Sequence, residues 1–581
     1  MPRPSENPII SVLKSRGLYK KEIDESKHDI TCPWVDEHTD SIDGGSAYFI
    51  PDDLYPIGGF KCHHGHCAER NIHNLLENLS IDAARARVKP IIRAISGEMH
   101  NIVDLAEQEL AKVGKYYQRG GLIVTIVKDK TTQETIIKDI RQNAMPPILS
   151  RCSTWEGYDG RSKSLVIKDP PQRVISALMD APEYKHLPVL KGLAHQPHLS
   201  PEGSIINKSG YHPETGMYGV FLEKDFNISD TPTKKNAEDA LQTILGLLNE
   251  FPFADEADGA AALSAILTAT VRTSLPLAPM YHVRAPQISS GKSFLCEIIS
   301  KFASSAIPTS SPFPQNDEEC RKHILSVLLR APAVVSFDNL TNDIVAYDTF
   351  CAILTSTQLT DRILGVSKTT TVSTRTLFLS NGNNVGPLQD MARRCNVINL
   401  DPACEIPAAR TFNNPNVLKE LSDNRALYVS AALTIIKAWI TSGKPKADCK
   451  TIASYTEWSD YCRQPLLWLG LPDPASNMFK TMSDDPERET LGQVLTLWDE
   501  LFGNTPKMVR DIINCISEPD FDGPASDLKE LIEDIALDKH TINRRRFGSW
   551  IKRNANKIVG GMKFVRYEGK LSAAAWRVEK V

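Results

Sequence analysis

Short apolar runs that each end in polar residues recur through the middle of the chain. Residues 279–283 lead into a polar turn and a helical pattern, residues 333–337 end at Asp338, and residues 376–379 end at Ser380-Asn381. Runs of this length and composition are typical of buried parallel strands. The pattern therefore predicts an α/β core whose strands carry polar groups at their carboxyl ends.

The turn after the first run has the ending of a phosphate-binding loop. Gly291-Lys292-Ser293 opens the helix as in G-x-x-x-x-G-K-[ST], whose backbone N–H groups cradle phosphates. In that motif the Lys contacts the β/γ-phosphates and the Ser hydroxyl binds Mg²⁺, so ATP and Mg²⁺ are the predicted ligands. Pro286 occupies the position of the first Gly and requires a different turn, because Pro lacks an N–H and fixes φ. Taken alone, the segment could equally be an ordinary strand–turn–helix.

Features downstream of the loop strengthen the nucleotide interpretation. Asp338 can hold Mg²⁺ through water, and Asn381 can orient an attacking water near the γ-phosphate. The guanidinium groups of Arg393 and Arg394 suit phosphate recognition and arginine fingers that act in trans. Asn339 stands where a Glu would be the usual base, so the sequence identifies no catalytic base.

A Gly-rich segment near the N-terminus carries Cys and His in two pairs. Cys32 and His38 precede a predicted hairpin, and Cys62 and Cys67 follow it. Two ligand pairs joined by a hairpin suit a tetrahedral Zn²⁺, which would also supply folding energy to so small a unit. Reduced Cys pairs with surface His residues are the alternative without metal. The ligand set stays open at one point, because two nearby imidazoles could substitute: His64 and His66.

The C-terminal segment has the outline of a winged helix. Helices are predicted at 526–537 and 541–556, and strands at 560–567 and 574–578. A basic face on this scaffold suggests contacts with DNA phosphates, and a solvated basic helix is the alternative. The predicted DNA-binding residues are Arg544, Arg545, Arg546, Lys552 and Arg553, with Lys557, Lys563, Arg566 and Lys570 nearby.

Together these patterns predict a multidomain protein of mixed α/β class. The predicted regions of the 581-residue chain are an N-terminal tail and helix (1–30), a zinc-binding β module (31–80), a mixed α+β accessory region (88–235), a P-loop ATPase core (236–410), a helical region (411–510) and a winged-helix-like domain (520–581).

Composition and charge narrow the function classes. The net charge of −4 gives no global attraction to nucleic acid, so DNA binding must come from local patches. No run approaches the roughly 20 apolar residues that span a bilayer, and residues 1–6 show no signal peptide. The 12 Cys spread over the chain do not form a disulfide framework. A cytoplasmic protein with no membrane partner is expected.

With these residues assembled, the chain resembles the replication ATPases of prophages and integrative elements, often labelled primase-helicases. The resemblance covers nearly the whole length and is carried by CPW…EHTD…GFKCHHGHC, YYQRGGLIV, APQISSGKS, VVSFDNL and LSNGNN…DMARR…INLDP. The N-terminal piece is similar to the zinc-binding modules of bacterial primases. The central piece is similar to AAA+ and superfamily 3 helicase cores.

The resemblance implies a motor that acts on DNA during replication of a mobile element. It implies a homo-oligomeric, hexamer-type ring with helicase or translocase activity on DNA, expected to be single-stranded, working beside other replication proteins. The roles it implies are phosphate and Mg²⁺ binding for Lys292 and Ser293, Walker B acid for Asp338, sensor for Asn381, and finger into the neighbouring subunit for Arg393 or Arg394.

Two departures from the family pattern, Pro286 and Asn339, keep a second function open. The alternative is a DNA-binding replication initiator or loader that uses nucleotide as a switch and hydrolyses little of it. Primase activity is not expected, because no Asp-x-Asp pair stands beside a nucleotide-binding strand.

Overall fold

The computed structural model describes residues 7–24, 26–38, 43–51, 55, 57–81, 89–130, 135–306, 308–362, 369–484, 486–517, 523–569 and 574–581. The chain forms two compact units. The first comprises Met1–Glu223 together with Leu325–Ala331 and Gln358–Thr374. The second comprises Lys224–Ile324, Pro332–Thr357 and Arg375–Val581. The first long segment of the first unit ends at Glu223.

The first unit begins with a small antiparallel sheet in the order β1-β2-β3-β4. Residues 8–30, predicted as tail and helix, contribute two strands to this sheet, and Ile9 and Leu13 enter its core. The strand 19–24 escaped prediction because five of its six side chains are exposed, so it shows no alternation. The elements are α1 (Pro8–Ser15), β1 (Tyr19–Asp24), β2 (Lys27–Ile30), β3 (Ser46–Phe49), β4 (Gly59–Cys62) and α2 (Ile72–Asn78).

The rest of the first unit combines helices with small sheets. Its larger core gathers around Trp155, Ile175 and Leu178. Three small sheets have the orders β10-β9-β5, β6-β7-β8 and β11-β15-β14, and β12 pairs with β13. The elements are β5 (Ile91–Arg93), α3 (Met99–Lys112), β6 (Tyr116–Arg119), β7 (Leu122–Lys128), β8 (Thr135–Asp139), α4 (Met145–Cys152), β9 (Thr154–Asp159), β10 (Ser164–Ile167), α5 (Gln172–Met179), β11 (Gly192–Ala194), β12 (His198–Leu199), β13 (Ile205–Ile206), β14 (Gly210–His212) and β15 (Met217–Gly219).

The second unit is built on a five-stranded parallel sheet in the order β17-β18-β21-β16-β22, which confirms the predicted parallel α/β core. The elements through this sheet are α6 (Lys234–Leu248), α7 (Glu256–Val271), β16 (Met280–Ala285), α8 (Lys292–Ala303), β17 (Thr309–Ser311), α9 (Asp317–Leu329), β18 (Val334–Leu340), α10 (Asp348–Thr355), β19 (Gln358–Arg362), β20 (Thr369–Ser373), β21 (Leu377–Asn383) and β22 (Cys395–Asn399). The β19-β20 hairpin and the end of α9 are counted with the first unit.

A helical segment and a C-terminal α/β segment complete the second unit. Trp498, Phe547 and Phe564 pack in one C-terminal core, so α16 and the last hairpin are joined. The elements are α11 (Val417–Asp423), α12 (Arg425–Thr441), α13 (Thr456–Trp458), α14 (Gln464–Trp468), α15 (Ser476–Ser483), α16 (Pro486–Phe502), β23 (Lys507–Met508), α17 (Val509–Ile516), α18 (Pro524–Ala536), β24 (Leu537–Asp538), β25 (Thr541–Ile542), α19 (Arg544–Asn554), β26 (Met562–Tyr567) and β27 (Ala575–Lys580).

The C-terminal segment differs from the predicted outline in two places. The helix predicted at 541–556 begins at Arg544, because Thr541 and Ile542 pair with β24. The closing sheet has a third strand, in the order β23-β27-β26. Within the described ranges, no helix has both the length and the apolar character needed to cross a bilayer.

Candidate functional site

The loop after β16 holds its lysine in place from two sides. Gly291 has φ +93°, a left-handed conformation that suits glycine, and α8 starts directly at Lys292. The Lys292 side chain is buried, and its Nζ donates to Gln287 O at 2.8 Å and to Asn383 Oδ1 at 2.6 Å. Burial lowers the pKa of Lys292, while the charge of Asp338 opposes this. A lysine held in this way can exchange its amide and carbonyl partners for phosphate oxygens.

The ends of β18 and β21 bring the acid and the amide together beside the loop. Ser293 Oγ donates to Asp338 Oδ1 at 3.0 Å, and Asn381 Nδ2 donates to the same oxygen at 2.6 Å. Asn381 Oδ1 accepts from the backbone N–H of Asn339 at 3.1 Å. Asn339 has φ +55°, a backbone conformation that non-glycine residues seldom adopt. The hydrogen bond from its N–H to the Asn381 side chain stabilises this conformation.

The sheet order explains why these residues meet. Strand β21 lies between β16 and β18, so the carboxyl ends of the loop strand, the amide strand and the acidic strand are neighbours. The structure thus brings together Lys292, Ser293, Asp338 and Asn381, all predicted from sequence. A hydroxyl and a carboxylate at hydrogen-bond distance are the oxygen ligands that Mg²⁺ prefers, so the residues fit that ion.

Asn383 is a site residue that sequence reasoning missed. It lies two residues after Asn381 on β21, and its Oδ1 accepts from Lys292 Nζ at 2.6 Å. Alternate residues of a strand share one face, so the period of two in Asn381-Gly382-Asn383 was the available signal.

An aromatic cavity of about 300 Å³ adjoins the phosphate-binding loop. Its wall includes Ser289, Ser290 and Gly291 of the loop and the rings of Phe251, Phe294 and Phe412. The rings of Phe251 and Phe294 stack with centroids 6.0 Å apart. A concave apolar space beside a phosphate site is suited to a nucleoside base. This cavity could not be predicted from local patterns, because the three rings come from distant segments.

The two arginines predicted as finger candidates differ in exposure. Both bind Asp390: Arg393 Nε and Arg394 Nη1 each lie 2.5 Å from one of its carboxylate oxygens. The Arg393 side chain is 40% exposed and that of Arg394 only 8%. Burial opposes ionisation of Asp390, but the two guanidinium groups outweigh it and the pKa of Asp390 is lowered. Arg393 is therefore the one that could reach another molecule with a small rearrangement.

The four predicted zinc ligands form one cluster. The ligand atoms of Cys32, His38, Cys62 and Cys67 all lie within 4.8 Å of one another, and all four residues are buried. The Cys32 and Cys67 sulfurs are 3.8 Å apart, and His38 Nε2 lies 3.3 Å from the Cys67 sulfur. Tetrahedral Zn²⁺ with bonds of about 2.0–2.3 Å needs ligand separations of about 3.3–3.8 Å. The cluster fits such an ion.

Neighbouring groups and burial change the pKa values of the cysteine thiols in this cluster. Burial opposes ionisation of Cys62. Hydrogen bonds from the Ser46 side chain and from the backbone and side chain of His64 outweigh this effect, and the pKa of Cys62 is lowered to about 6. Burial raises the pKa of Cys32 to about 12. The His64 ring stacks on His38 at 3.9 Å between centroids, and His64 Nδ1 lies 3.2 Å from the Cys62 sulfur. His66 is exposed, so of the two alternative imidazoles only His64 adjoins the cluster.

The predicted DNA-binding residues lie on one exposed helix. Its apolar side is buried through Phe547, Trp550 and Ile551. The first turn of α19 carries cations where the helix dipole favours anions, an arrangement that a phosphate group would relieve. All five predicted residues are exposed: Arg544, Arg545, Arg546, Lys552 and Arg553. Of the basic residues nearby, Lys570 lies outside the described residues.

A larger cleft in the same segment has the opposite charge. It has a volume of about 1030 Å³ and is lined by residues of α16 and α18. Its wall carries more acidic than basic side chains: Arg488 stands against Asp484, Glu489, Asp527, Glu530 and Asp534. Negative charge of this density disfavours phosphates, so neither a nucleotide nor DNA suits this cleft.

Comparison with known proteins gives distant structural likenesses. The chain is 13% identical to the structure described as the apo form of the NrS-1 C-terminal region, with a TM-score of 0.30, over 79% of this chain and 97% of that chain. It is 12% identical to the SCCmec type IV Cch active helicase, with a TM-score of 0.29, over 72% and 88%. For the JCV helicase the values are 10%, 0.19, 41% and 66%. No family model and no curated protein matches the chain. Likeness at this level carries no argument about activity, so the functional interpretation depends on the residues described above.

Proposed function

We propose that the protein is an ATPase that acts on DNA as a replication helicase or translocase of a mobile element. The observation that supports this most directly is the meeting of three segments at one edge of the sheet. Ser293 of the loop and Asn381 of β21 both bind the Asp338 carboxylate, within 3.0 Å and 2.6 Å, beside a buried lysine. Nucleotide hydrolysis needs a lysine, a hydroxyl, a carboxylate and an amide at one place. Packing of the sheet alone does not require these polar groups to meet.

In this proposal each residue has a defined task. Lys292 exchanges Asn383 for phosphate oxygens of ATP, and the ring-lined cavity receives the base. Ser293 and Asp338 would hold Mg²⁺, which when bound neutralises the charge of the phosphates. Asn381 fixes the Asp338 carboxylate, and in the sensor role it would orient the attacking water near the γ-phosphate.

The same proposal gives the other modules supporting roles. Cys32, His38, Cys62 and Cys67 would hold Zn²⁺ and stabilise the N-terminal sheet. The exposed cations of α19 would contact DNA phosphates without reading sequence. Arg393 would complete the nucleotide site of an adjacent copy, which makes a homo-oligomeric ring the working assembly.

One observation favours a nucleotide-switched initiator or loader as the second candidate. The residue after Asp338 is Asn339, an amide that cannot take a proton from water as a carboxylate would. A site of this kind could bind ATP tightly and turn it over slowly.

Steady-state ATP hydrolysis with and without single-stranded DNA tests the proposal and separates the two candidates. Lys292→Ala is expected to abolish turnover and weaken ATP binding, because the phosphates lose their buried cation. Lys301→Ala is the matched control, since Lys301 lies at the other end of the same helix and donates to Ser305 O at 3.0 Å.

The outcomes are distinct. DNA-stimulated turnover that is lost in Lys292→Ala and kept in Lys301→Ala supports the motor. ATP binding without turnover, with or without DNA, supports the initiator. Failure of the wild-type protein to bind ATP at all contradicts both.

A further inference from the structure

The turn between β6 and β7 reaches a helix end that lies far away in sequence. Arg119 Nη1 donates to Leu329 O at 2.5 Å, and Nη2 donates to Leu328 O at 3.0 Å. These are among the last carbonyls of α9, which have no partner inside the helix. Arg119 is 7% exposed, and burial lowers its pKa to about 10, so it stays charged at neutral pH. The guanidinium therefore caps α9 at the end where a cation is favoured.

The next residue of the turn binds a second distant segment. Gly120 O accepts from Thr370 Oγ1 at 2.8 Å, and Thr370 is buried on β20. Gly120 has φ +57°, and a Cβ there would lie 2.5 Å from Thr370 Oγ1 and 2.6 Å from Thr371 O. Only glycine allows this approach, so the turn and the β19-β20 hairpin are fitted to each other.

Both of these segments lead directly into strands of the candidate nucleotide site. The end of α9 runs into β18, which carries Asp338, and β20 runs into β21, which carries Asn381. The loop strand β16 has no such connection, since it is preceded by α7 and followed by the phosphate-binding loop. The Arg119-Gly120 turn therefore holds the two chain segments that enter the acidic and amide strands.

We infer that Arg119 and Gly120 are positioning residues of the nucleotide site, which couple the accessory region to the placement of Asp338 and Asn381. This inference rests on the proposed ATPase function. The turn touches neither nucleotide nor metal, and it acts through the helix end and the hairpin. Loss of the contact should leave ATP binding through β16 intact and impair the step that needs the acid and the amide aligned.

The test compares variants of the full-length chain by turnover and ATP affinity. Arg119→Met keeps an unbranched side chain over the apolar stem and removes the guanidinium group with both hydrogen bonds. We expect kcat to fall about tenfold or more, the factor for loss of one charge-assisted hydrogen bond, and the Kd for ATP to stay within about threefold. Unlike Arg119→Met, Arg119→Lys keeps the positive charge and one donor group, so its kcat should fall less.

Neighbouring glycines provide a matched pair. Gly120→Ala and Gly121→Ala carry similar backbone strain, with φ of +57° and +75°, but a Cβ at Gly121 meets nothing within 4 Å. Only Gly120→Ala should lower kcat. Thr370→Val is a milder third variant, because it removes the hydroxyl and nearly keeps the shape.

Hydrogen–deuterium exchange decides the inference even where turnover is absent. Arg119→Met should raise exchange at 334–340 and 377–383 and leave 395–399 unchanged, because β22 pairs with β16 on the side away from both affected strands. Equal effects of Gly120→Ala and Gly121→Ala would overturn the inference, as would wild-type exchange and turnover in both Arg119→Met and Thr370→Val. A wild-type protein that does not hydrolyse ATP contradicts the proposed function alone, while the exchange pattern still decides whether the turn positions the strands.

Discussion

Replacement of Asn381 by alanine is the sharpest test of the assembled site. Asn381 is 2% exposed, and two of its hydrogen bonds align the site: one is donated to the Asp338 carboxylate and one is accepted from the Asn339 N–H. The substitution removes both without adding a charge or bulk. The carboxylate then loses its fixed orientation, and the left-handed turn at Asn339 loses its side-chain support.

The expected size of the effect follows from these contacts. A hydrogen bond to a charged group contributes about 1.5–3 kcal/mol and a neutral one about 1 kcal/mol. Water can replace part of both at this edge, so about 2–4 kcal/mol of positioning energy is lost. At about 1.4 kcal/mol per tenfold change, kcat should fall roughly 30- to 1000-fold.

The assay is steady-state hydrolysis of ATP with saturating single-stranded DNA, paired with equilibrium ATP binding and thermal unfolding. Affinity should change little, because Lys292 and the loop are intact. Asn384→Gly is the matched control, since Asn384 is an exposed neighbour with φ +51° that glycine adopts freely. Turnover of Asn381→Ala within about threefold of wild type, with the fold intact, would refute the positioning role.

Three further predictions concern other parts of the molecule. Chelation should remove one zinc ion per chain and unfold the N-terminal sheet, and Cys67→Ala should have the same effect. His63→Ala is the control, because His63 is an exposed neighbour, and it should have no effect. Zinc content and hydrogen exchange of the sheet measure both outcomes. Arg393→Ala should abolish turnover, and mixing it with Lys292→Ala should restore part of it if the arginine acts in trans, because mixed assemblies pair an intact loop with an intact arginine. Burial lowers the pKa of His282 from 6.5 to about 4, so its contribution to stability is complete above pH 6.5 and is lost as the pH falls towards 4. Denaturant unfolding across that window should show this loss in the wild type and a flatter profile in His282→Gln.

Candidate site residues could be predicted where several of them share one short motif or follow an apolar run. Lys292 and Ser293 are adjacent, and the ends of two apolar runs identified Asp338 and Asn381. The pattern failed where partners are chosen by tertiary packing. The period of two places Asn383 on the same face of β21 as Asn381, but it does not identify Lys292 as the partner of Asn383. The sheet order and the assignment of segments 325–331 and 358–374 to the first unit depend on contacts between distant positions, which periodicity does not report.

The order of strands in the parallel sheet has a consequence for how the chain is made. Among the described residues, strand β16 pairs with β21 and β22, and Tyr281 stands opposite Leu379, 379 − 281 = 98 residues later. At about 5–20 residues per second on the ribosome, the apolar loop strand waits roughly 5–20 seconds before its first neighbour is synthesised. During that interval the unpaired edges of β16 are exposed to other nascent chains. The nucleotide site therefore cannot form before β21 has been synthesised, and fragments ending before residue 377 should aggregate rather than bind ATP.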